Sequence, residues 1–256
     1  MKGDKKYMHV VILTALGVGG ATVMGALIGF ICKGISHKLS DIAMSFAAGI
    51  MMAASVVGLI LPAIEGGGAF RILSVMAGIF SGAVCIDAIG RIVPHMRRLL
   101  VPDEENKGDA SIDKALLFIT AMAIHNLPEG IAAGVGFGAG DMSGALMIAG
   151  GIALQNIPDG MVIIAPMLSA GISPKKTFVC AALTGAFEVI GTFVGYFAAS
   201  ISASILPFAL SFAGGAMLYI ISDEIIPETH SDGNQRGATY ALLIGFFIML
   251  LTNLFL

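Results

Sequence analysis

The chain divides into long apolar stretches separated by short polar segments, and this division constrains its fold more than any other feature. A helix needs about 20 apolar residues to cross roughly 30 Å of hydrocarbon, and most of the stretches have that length. Hydrophobic residues make up 57% of the chain and charged residues only 12%. The sequence therefore predicts an all-α integral membrane protein, because continuous apolar runs lack the alternation of a transmembrane β-barrel.

We count eight transmembrane helices in a single transmembrane domain that covers residues 1–256. The predicted spans are residues 8–32, 41–64, 73–94, 114–139, 143–170, 177–200, 205–226 and 237–256. The first span is too long for the apolar core of a signal peptide, and no small-residue cleavage site follows it. We therefore expect the first span to be retained.

Lysine and arginine predict the orientation, because cytoplasmic loops are enriched in both residues. One side of the predicted topology carries ten of them: Lys33, Lys38, Arg91, Arg97, Arg98, Lys107, Lys114, Lys175, Lys176 and Arg236. The other side carries four: Lys2, Lys5, Lys6 and Arg71. The sequence thus predicts that the first group is cytoplasmic and that both termini lie outside.

Two distant segments are similar to each other. Residues 45–51 of the second span and residues 211–217 of the seventh are identical at five of seven positions. In the predicted topology these two spans run in opposite directions. An inverted repeat, with spans one to three and six to eight flanking spans four and five, is typical of transporters.

Two hexapeptides 30 residues apart carry polar groups into the apolar stretches. Residues 125–130 read His-Asn-Leu-Pro-Glu-Gly, and residues 155–160 read Gln-Asn-Ile-Pro-Asp-Gly. Carboxylates, amides and an imidazole are costly inside hydrocarbon unless a partner compensates them. The doubled set favours a bound ion, and hydrogen bonding between helices as structural support is the alternative.

Helical spacing predicts how these groups come together. His125 and Glu129 are four residues apart and Asn126 and Glu129 are three apart, so one carboxylate can meet both side chains. Residues 155–160 repeat this spacing around Asp159. If the two helices face each other, they build adjacent sites that share Glu129 and Asp159. The sequence therefore predicts a binuclear centre near the membrane midplane.

The proline and glycine of each motif are expected to shape the backbone around that centre. Pro128 and Pro158 have no backbone N–H to donate, so each helix is expected to bend and to expose carbonyl acceptors beside the polar residues. Gly130 and Gly160 are expected to leave space there.

The predicted ligands are one imidazole, two carboxylates and several amide oxygens. This mixture suits a borderline divalent cation such as Zn²⁺, Fe²⁺, Mn²⁺ or Cd²⁺ better than a monovalent ion. We predict no catalytic residue and no cofactor, since nothing resembles the His-Glu-x-x-His motif of zinc hydrolases.

The sequence resembles the ZIP (Zrt-, Irt-like protein) family of divalent metal transporters, whose fourth-helix signature matches residues 125–130. The Gln-Asn form of the fifth-helix motif is similar to the prokaryotic GufA-like branch. The resemblance implies one metal site formed by His125, Glu129, Gln155 and Asp159. It implies a neighbouring site formed by Asn126, Glu129, Asn156, Asp159 and Glu188. It also implies that Met51 approaches the metal.

The sequence departs from the family pattern at two places. Many family members carry His-Glu where this chain has Gln155-Asn156, and Glu where it has Asp159, so the ligand set is poorer in nitrogen. Residues 102–113, between spans three and four, lack the His-rich run of eukaryotic relatives. The altered ligand set makes a preference for zinc over other divalent ions less firmly predicted. Cytosolic zinc sensing by residues 102–113 is not expected.

Five further polar residues form a candidate exit pathway: Asp87, Asp223, Glu224, Glu228 and His230. The last four cluster at the predicted inner end of span seven, where solvated loop is the alternative. For Asp87 the alternative is a salt bridge within its helix, because Arg91 lies four residues further on.

We therefore expect transport of divalent transition metal ions, zinc foremost, into the cytoplasm. The resemblance implies that spans one, four, five and six move against the remaining spans. A metal-selective channel is the first alternative, and an intramembrane metallohydrolase is a distant second. The expected partners are the lipid bilayer and the metal ion, with a homodimer left open and no nucleic acid. The compact loops and the branch resemblance suggest a bacterial inner membrane.

Overall fold

The computed structural model describes residues 4–31, 37–65, 67–100, 110–140, 142–201, 205–231 and 233–255. Helices account for nearly all of these residues, and no strand occurs among them. The α-helices are α1 (Asp4–Ile31), α2 (His37–Ala53), α3 (Leu61–Ile64), α4 (Ala69–Leu100), α5 (Ala110–Ala139), α6 (Met142–Ser169), α7 (Pro174–Ile201), α8 (Leu206–Ile220), α9 (Ile226–Thr229) and α10 (Gln235–Phe255).

Two short π-helical segments join neighbouring α-helices into longer rods. Ala54–Ile60 connects α2 to α3, and Ile221–Ile225 connects α8 to α9. Each segment ends two residues before a proline, Pro62 or Pro227. A proline ring clashes with the carbonyl four residues earlier and cannot donate to it, and the wider π turn relieves that conflict. The two rods therefore continue through their prolines.

Seven helical segments within the described residues are long and apolar enough to cross a membrane. They are Met8–Ile31, Lys38–Ile64, Ala69–Arg91, Met142–Ser169, Pro174–Ser200, Leu206–Thr229 and Gln235–Thr252. Large apolar side chains such as Leu13, Phe80 and Phe247 are exposed on them, as expected for surfaces that face lipid. The prediction of an all-α, multi-pass integral membrane protein is confirmed.

The helices pack in two groups of rods. In the first group, called the motif bundle, α5 packs against α7 and α6, and α1 packs against α6 and α7. In the second, called the flanking group, α4 packs against α8 and α10 packs against α2. Contacts of α2 with α6 and of α8 with α5 join the two groups. The motif bundle therefore contains both polar motifs.

The glycines that end the two motifs are sites of close helix contact. A Cβ atom on Gly130 would overlap the carbonyl oxygen of Glu188 in α7, and one on Gly160 would overlap the carbonyl oxygen of Thr22 in α1. We expected these glycines to leave space beside the polar residues, and the backbones of α7 and α1 occupy that space. Their small size lets those helices approach closely, which brings Glu188 and Thr22 to the motifs.

Candidate metal centre

The six polar side chains of the two motifs are all buried, none more than 5% exposed. They are His125, Asn126 and Glu129 of α5 and Gln155, Asn156 and Asp159 of α6. Both motif prolines lie inside continuous helices, so each helix carries its polar residues on successive turns. The packing of α5 against α6 then faces the two sets toward each other.

Three of these residues form a compact group of ligand atoms. One ligand atom each from His125, Glu129 and Asp159 lie within 4.8 Å of one another. His125 Nε2 is 3.2 Å from Glu129 Oε1. Zinc lies about 2.0 to 2.3 Å from its ligand atoms, so two ligand atoms of one ion are separated by roughly 3 to 4 Å. The spacing is close to that of a divalent cation site.

Gln155 extends this group from the facing helix. Its Nε2 donates a hydrogen bond of 2.5 Å to Glu129 Oε1, and both side chains are 0% exposed. This hydrogen bond uses the amide nitrogen and one carboxylate oxygen, so Gln155 Oε1 and Glu129 Oε2 have no hydrogen-bond partner. Two oxygens thus stay free for a cation beside His125 and Asp159.

A second polar network adjoins the first and includes α1 and α7. Asn156 Nδ2 donates to Glu188 Oε2 at 2.6 Å and to the carbonyl oxygen of Val18 at 3.2 Å. The Thr22 hydroxyl donates to Glu188 Oε1 at 2.6 Å. Glu188, which the family resemblance assigned to the neighbouring site, therefore does lie beside the fifth-helix motif.

Sequence reasoning missed Thr22. A lone threonine in an apolar helix gives no signal of function, because its hydroxyl usually bonds to its own backbone. The useful signal was the glycine pattern around it, which matches the pattern around Glu188.

Buried oxygens without a hydrogen-bond donor concentrate at the two motifs. Among the described residues they include Asn126 Oδ1, Glu129 Oε2, Gln155 Oε1, Asn156 Oδ1 and Asp159 Oδ2. Leaving a buried polar group unpaired costs about 1 to 3 kcal/mol, and more for a charged group. Hydrogen bonding between helices accounts for the Gln155 and Asn156 nitrogens but not for these five oxygens. The oxygen-rich set fits a cation.

A cavity of about 520 Å³ lies between the compact ligand group and the acidic residues of the seventh rod. It is lined by His125 and Asp159, by Asp223, Glu224 and Glu228, and by Met44, Met122, Ile225 and Pro227. Three of the five residues predicted for the exit pathway therefore line the same cavity as two of the predicted ligands.

The other two predicted exit residues have different partners. Asp87 Oδ1 accepts hydrogen bonds from Arg91 Nε at 2.9 Å and from the Tyr219 hydroxyl at 3.1 Å. The His230 ring lies 2.9 Å from the carbonyl oxygen of Ile226 and 3.1 Å from the Thr239 hydroxyl. Neither Asp87 nor His230 lines the cavity. The salt bridge considered as the alternative for Asp87 is present.

Met51 lies fully buried in the main apolar cluster of the molecule. Its carbonyl oxygen accepts a hydrogen bond of 2.7 Å from the Ser55 hydroxyl. The predicted approach of its sulfur to a metal stays a prediction.

Comparison with known proteins gives the same family that the motifs suggested. The family model described as ZIP Zinc transporter matches residues 95–253. Zinc transporter GufA of Myxococcus xanthus is 36% identical over 249 residues, covering 95% of this chain and 97% of the relative. Zinc transporter ZIPB of Bordetella bronchiseptica is 32% identical over 251 residues, covering 95% of this chain and 81% of the relative.

A more distant similarity extends to animals. Zinc transporter ZIP11 of Homo sapiens is 29% identical over 316 aligned positions, which cover 90% of this chain and 92% of that protein. Because the family model covers more than half of the chain and the two bacterial relatives align along almost all of it, the protein is a GufA-like member of the ZIP family.

Proposed function

We propose that this protein transports divalent transition metal ions, zinc foremost, across the membrane into the cytoplasm. The observation that carries this proposal is the set of five unpaired oxygens on the two motifs, all buried within the motif bundle. The relatives named above are zinc transporters, which supports transport of metal rather than enzymatic chemistry. Iron, manganese and cadmium are secondary substrates suited to the same ligands.

Two cations occupy the proposed centre. The first is held by His125, Glu129, Gln155 and Asp159, and the second by Asn126, Glu129, Asn156, Asp159 and Glu188. Sharing of Glu129 and Asp159 is supported by the carboxylate oxygen that each of them keeps without a hydrogen-bond partner. Each shared carboxylate reduces the repulsion between two ions that lie close together.

The proposed topology has eight spans, an inverted repeat and both termini outside. α5, with 30 residues, supplies the span that completes the eight. Spans one, three, four, five, six and eight correspond to α1, α4, α5, α6, α7 and α10, and spans two and seven begin with α2 and α8. The repeat exchanges spans one to three with spans six to eight, and span four with span five. This exchange converts the contacting pair α1 and α6 into the pair α7 and α5. The same exchange converts the pair α4 and α8 into α10 and α2. All four pairs are in contact, which supports the repeat.

The π-helical segments support the repeat independently. They occur only in the second and seventh rods among the described residues, and in both they precede a proline near the end of the rod. These are the rods that share the similar segments 45–51 and 211–217.

The division into two groups of rods supports alternating access as the transport mechanism. We propose that the motif bundle moves against the flanking group and carries the two-ion centre between the two faces of the membrane. The cavity between the ligands and Asp223, Glu224 and Glu228 is the cytoplasmic route in this arrangement. The acidic residues there attract the cation as it leaves the centre.

Zinc flux into liposomes that contain the purified protein tests the proposal. We expect flux that saturates with zinc concentration and disappears in the double variant Glu129→Ala with Asp159→Ala. Asp87→Asn is the matched control, because Asp87 is an acid of the same chain that does not line the cavity. The control should keep most of the flux.

Two outcomes would contradict this proposal. Unchanged zinc binding and flux in the double variant would show that the buried acids have a structural role only. Fast flux that increases linearly with zinc concentration would favour a metal-selective channel over a carrier.

We propose the bacterial inner membrane as the location, and homodimer formation stays a prediction.

A further inference from the structure

The sequence around Thr22 in α1 repeats the sequence around Glu188 in α7. Residues 19–29 and 185–195 both begin with glycine, have valine four residues later, and have further glycines six and ten residues later. At the fourth position α1 has Thr22 and α7 has Glu188. The two positions are equivalent under the proposed inverted repeat, which exchanges span one with span six.

The helix contacts around the two positions repeat in the same way. A Cβ on Gly25 would overlap the carbonyl oxygen of Ile157, and one on Gly191 would meet the carbonyl oxygen of Leu127. Ile157 and Leu127 are the aliphatic residues at the same place in the two motifs. In the same manner, Gly160 packs on the backbone of Thr22, and Gly130 packs on the backbone of Glu188.

The two helices meet each other near these residues. A Cβ on Gly19 would contact the carbonyl oxygen of Gly185, and a Cβ on Gly185 would contact that of Gly19. Three residues further along each helix, the Thr22 hydroxyl donates its 2.6 Å hydrogen bond to Glu188. Thr22 and Glu188 are therefore partners across the crossing of α1 and α7, and both are 0% exposed.

We propose that Thr22 is a positioning residue for the second cation of the centre. This inference rests on the proposed two-ion function. The Thr22 hydroxyl holds Glu188 Oε1, and Glu188 Oε2 accepts from Asn156 Nδ2 at 2.6 Å. Thr22 thus acts on Asn156 through Glu188.

The consequence for Asn156 is a fixed amide orientation. Its nitrogen donates to Glu188 and to the Val18 carbonyl of α1, so its Oδ1 is left without a partner. The Oδ1 atom is the one that a cation can use, because the amide nitrogen has no lone pair to offer. α1 therefore sets the second site through the Thr22 hydroxyl and the Val18 carbonyl, while the ligands come from other helices.

The first site has no such dependence on α1. Its ligand group consists of His125, Glu129, Gln155 and Asp159, and the Gln155 amide is oriented by Glu129 of α5. Loss of the Thr22 hydroxyl should consequently affect one ion and leave the other in place.

Zinc titration of the purified full-length protein by calorimetry tests this inference, with the bound zinc counted by elemental analysis. Thr22→Val keeps the shape of the side chain and removes the hydroxyl. Thr22→Ser keeps the hydroxyl and removes the methyl group. Thr184→Val is the matched control, since Thr184 is a buried threonine of α7 whose hydroxyl donates to the Ala181 carbonyl at 2.8 Å.

We expect the wild type, Thr22→Ser and Thr184→Val to bind two zinc ions. In Thr22→Val the first ion should bind with unchanged affinity and the second should bind about tenfold to a hundredfold more weakly, as found when outer partners of metal ligands are removed. The zinc-induced rise in Tm should be smaller in Thr22→Val than in Thr184→Val. If Thr22→Val does not fold, Thr22→Ala replaces it, and its zinc binding and Tm are compared with those of Thr184→Val.

The outcomes separate this inference from the proposed function. Two zinc ions bound by Thr22→Val with wild-type affinities would overturn the role of Thr22 and leave the two-ion centre intact. A similar loss in Thr22→Val and Thr184→Val would show a packing effect and would also overturn that role. Binding of a single ion or none by the wild type would overturn the two-ion proposal itself.

Discussion

Single residues decide what the centre can bind, and His125 is the only nitrogen ligand in the proposed sets. A metal that binds its imidazole must compete with protons, because only the neutral ring can donate a lone pair. We expect zinc uptake at a fixed free zinc concentration to decline as the pH falls from about 7 to about 5, the range in which histidines commonly gain a proton.

Uptake by liposomes with constant internal pH and buffered external zinc measures this dependence. His125→Gln supplies an amide in place of the imidazole, so its residual uptake should vary less with pH than that of the wild type. Wild-type uptake that is flat across this range would argue against His125 as a ligand.

The sequence predicted the residues of the two motifs because helical spacing fixes which side chains share a face. His125 and Glu129 meet because they are four residues apart in one helix. Thr22 and Glu188 are 166 residues apart, and their hydrogen bond exists only because α1 and α7 cross at Gly19 and Gly185. Spacing within one helix cannot report such a contact.

At the scale of the helices, close packing at glycine holds the motif bundle together. Gly160→Ala places a Cβ against the carbonyl oxygen of Thr22, where backbone would have to move. We expect a loss of about 1 to 3 kcal/mol of stability, the usual cost of overpacking. Weaker zinc binding should accompany it, because α1 must move away from α6.

Gly150→Ala is the matched control on the same helix. A Cβ at this position meets nothing within 4 Å, and alanine is favoured over glycine inside a helix by up to about 1 kcal/mol. Its Tm in detergent should equal or exceed that of the wild type. Equal Tm values for the two variants would contradict the packing role of Gly160.

The π-helical segment before Pro227 presents Asp223 and Glu224 to the cavity. Pro227→Ala restores the backbone N–H donor and removes the ring. The conflict that the π turn relieves is then gone, so the segment can relax to an α-helix. The acids would then rotate relative to the cavity. We expect a severalfold slower zinc flux with unchanged zinc affinity, since the proposed ligands lie on α5, α6 and α7.

Flux in liposomes and calorimetry on the same preparation check this prediction. Pro207→Ala is the control, because Pro207 lies in the first turn of α8, where a missing donor has little effect. A parallel loss of binding and flux in Pro227→Ala would show that the proline supports the whole fold rather than the exit route.

Hydropathy predicted the rods but not their irregular turns or ends. Span three was predicted as residues 73–94, whereas α4 extends over Ala69–Leu100, because helical hydrogen bonding continues into flanking residues that hydropathy does not score. The π segments depend on how a rod accommodates Pro62 or Pro227. Whether a rod forms a π turn before its proline depends on how it packs in the folded molecule, so the apolar sequence alone does not predict it.

At the scale of the whole molecule, the sequence could not show which apolar surfaces face lipid. Leu16 is 58% exposed and Val18, two residues away in α1, is 1% exposed, yet both are equally suited to hydrocarbon. Helices in a membrane associate through close packing and polar contacts, and apolar side chains alone do not choose partners. The separation into a motif bundle and a flanking group is therefore a finding of the structure.

A carrier in this arrangement opens its cavity to one face only, and thiol labelling tests that property. We expect Met44→Cys, in a variant without the native cysteines, to react with a membrane-impermeant thiol reagent from the cytoplasmic face, because Met44 lines the cavity. From the outer face the reagent would have to pass the buried ligands. Labelling from that side should be much slower, and added zinc should change the cytoplasmic rate by shifting the population of the two states.

Ile64→Cys, at the opposite end of the same rod, is the matched control, since Ile64 is exposed and belongs to the predicted outer side. It should react from the outer face. Right-side-out and inside-out vesicles compare the two sides directly. Equally fast labelling of Met44→Cys from both faces would mean a continuous pore through the centre, because a reagent larger than the ion would then pass the ligand group without any movement of the motif bundle.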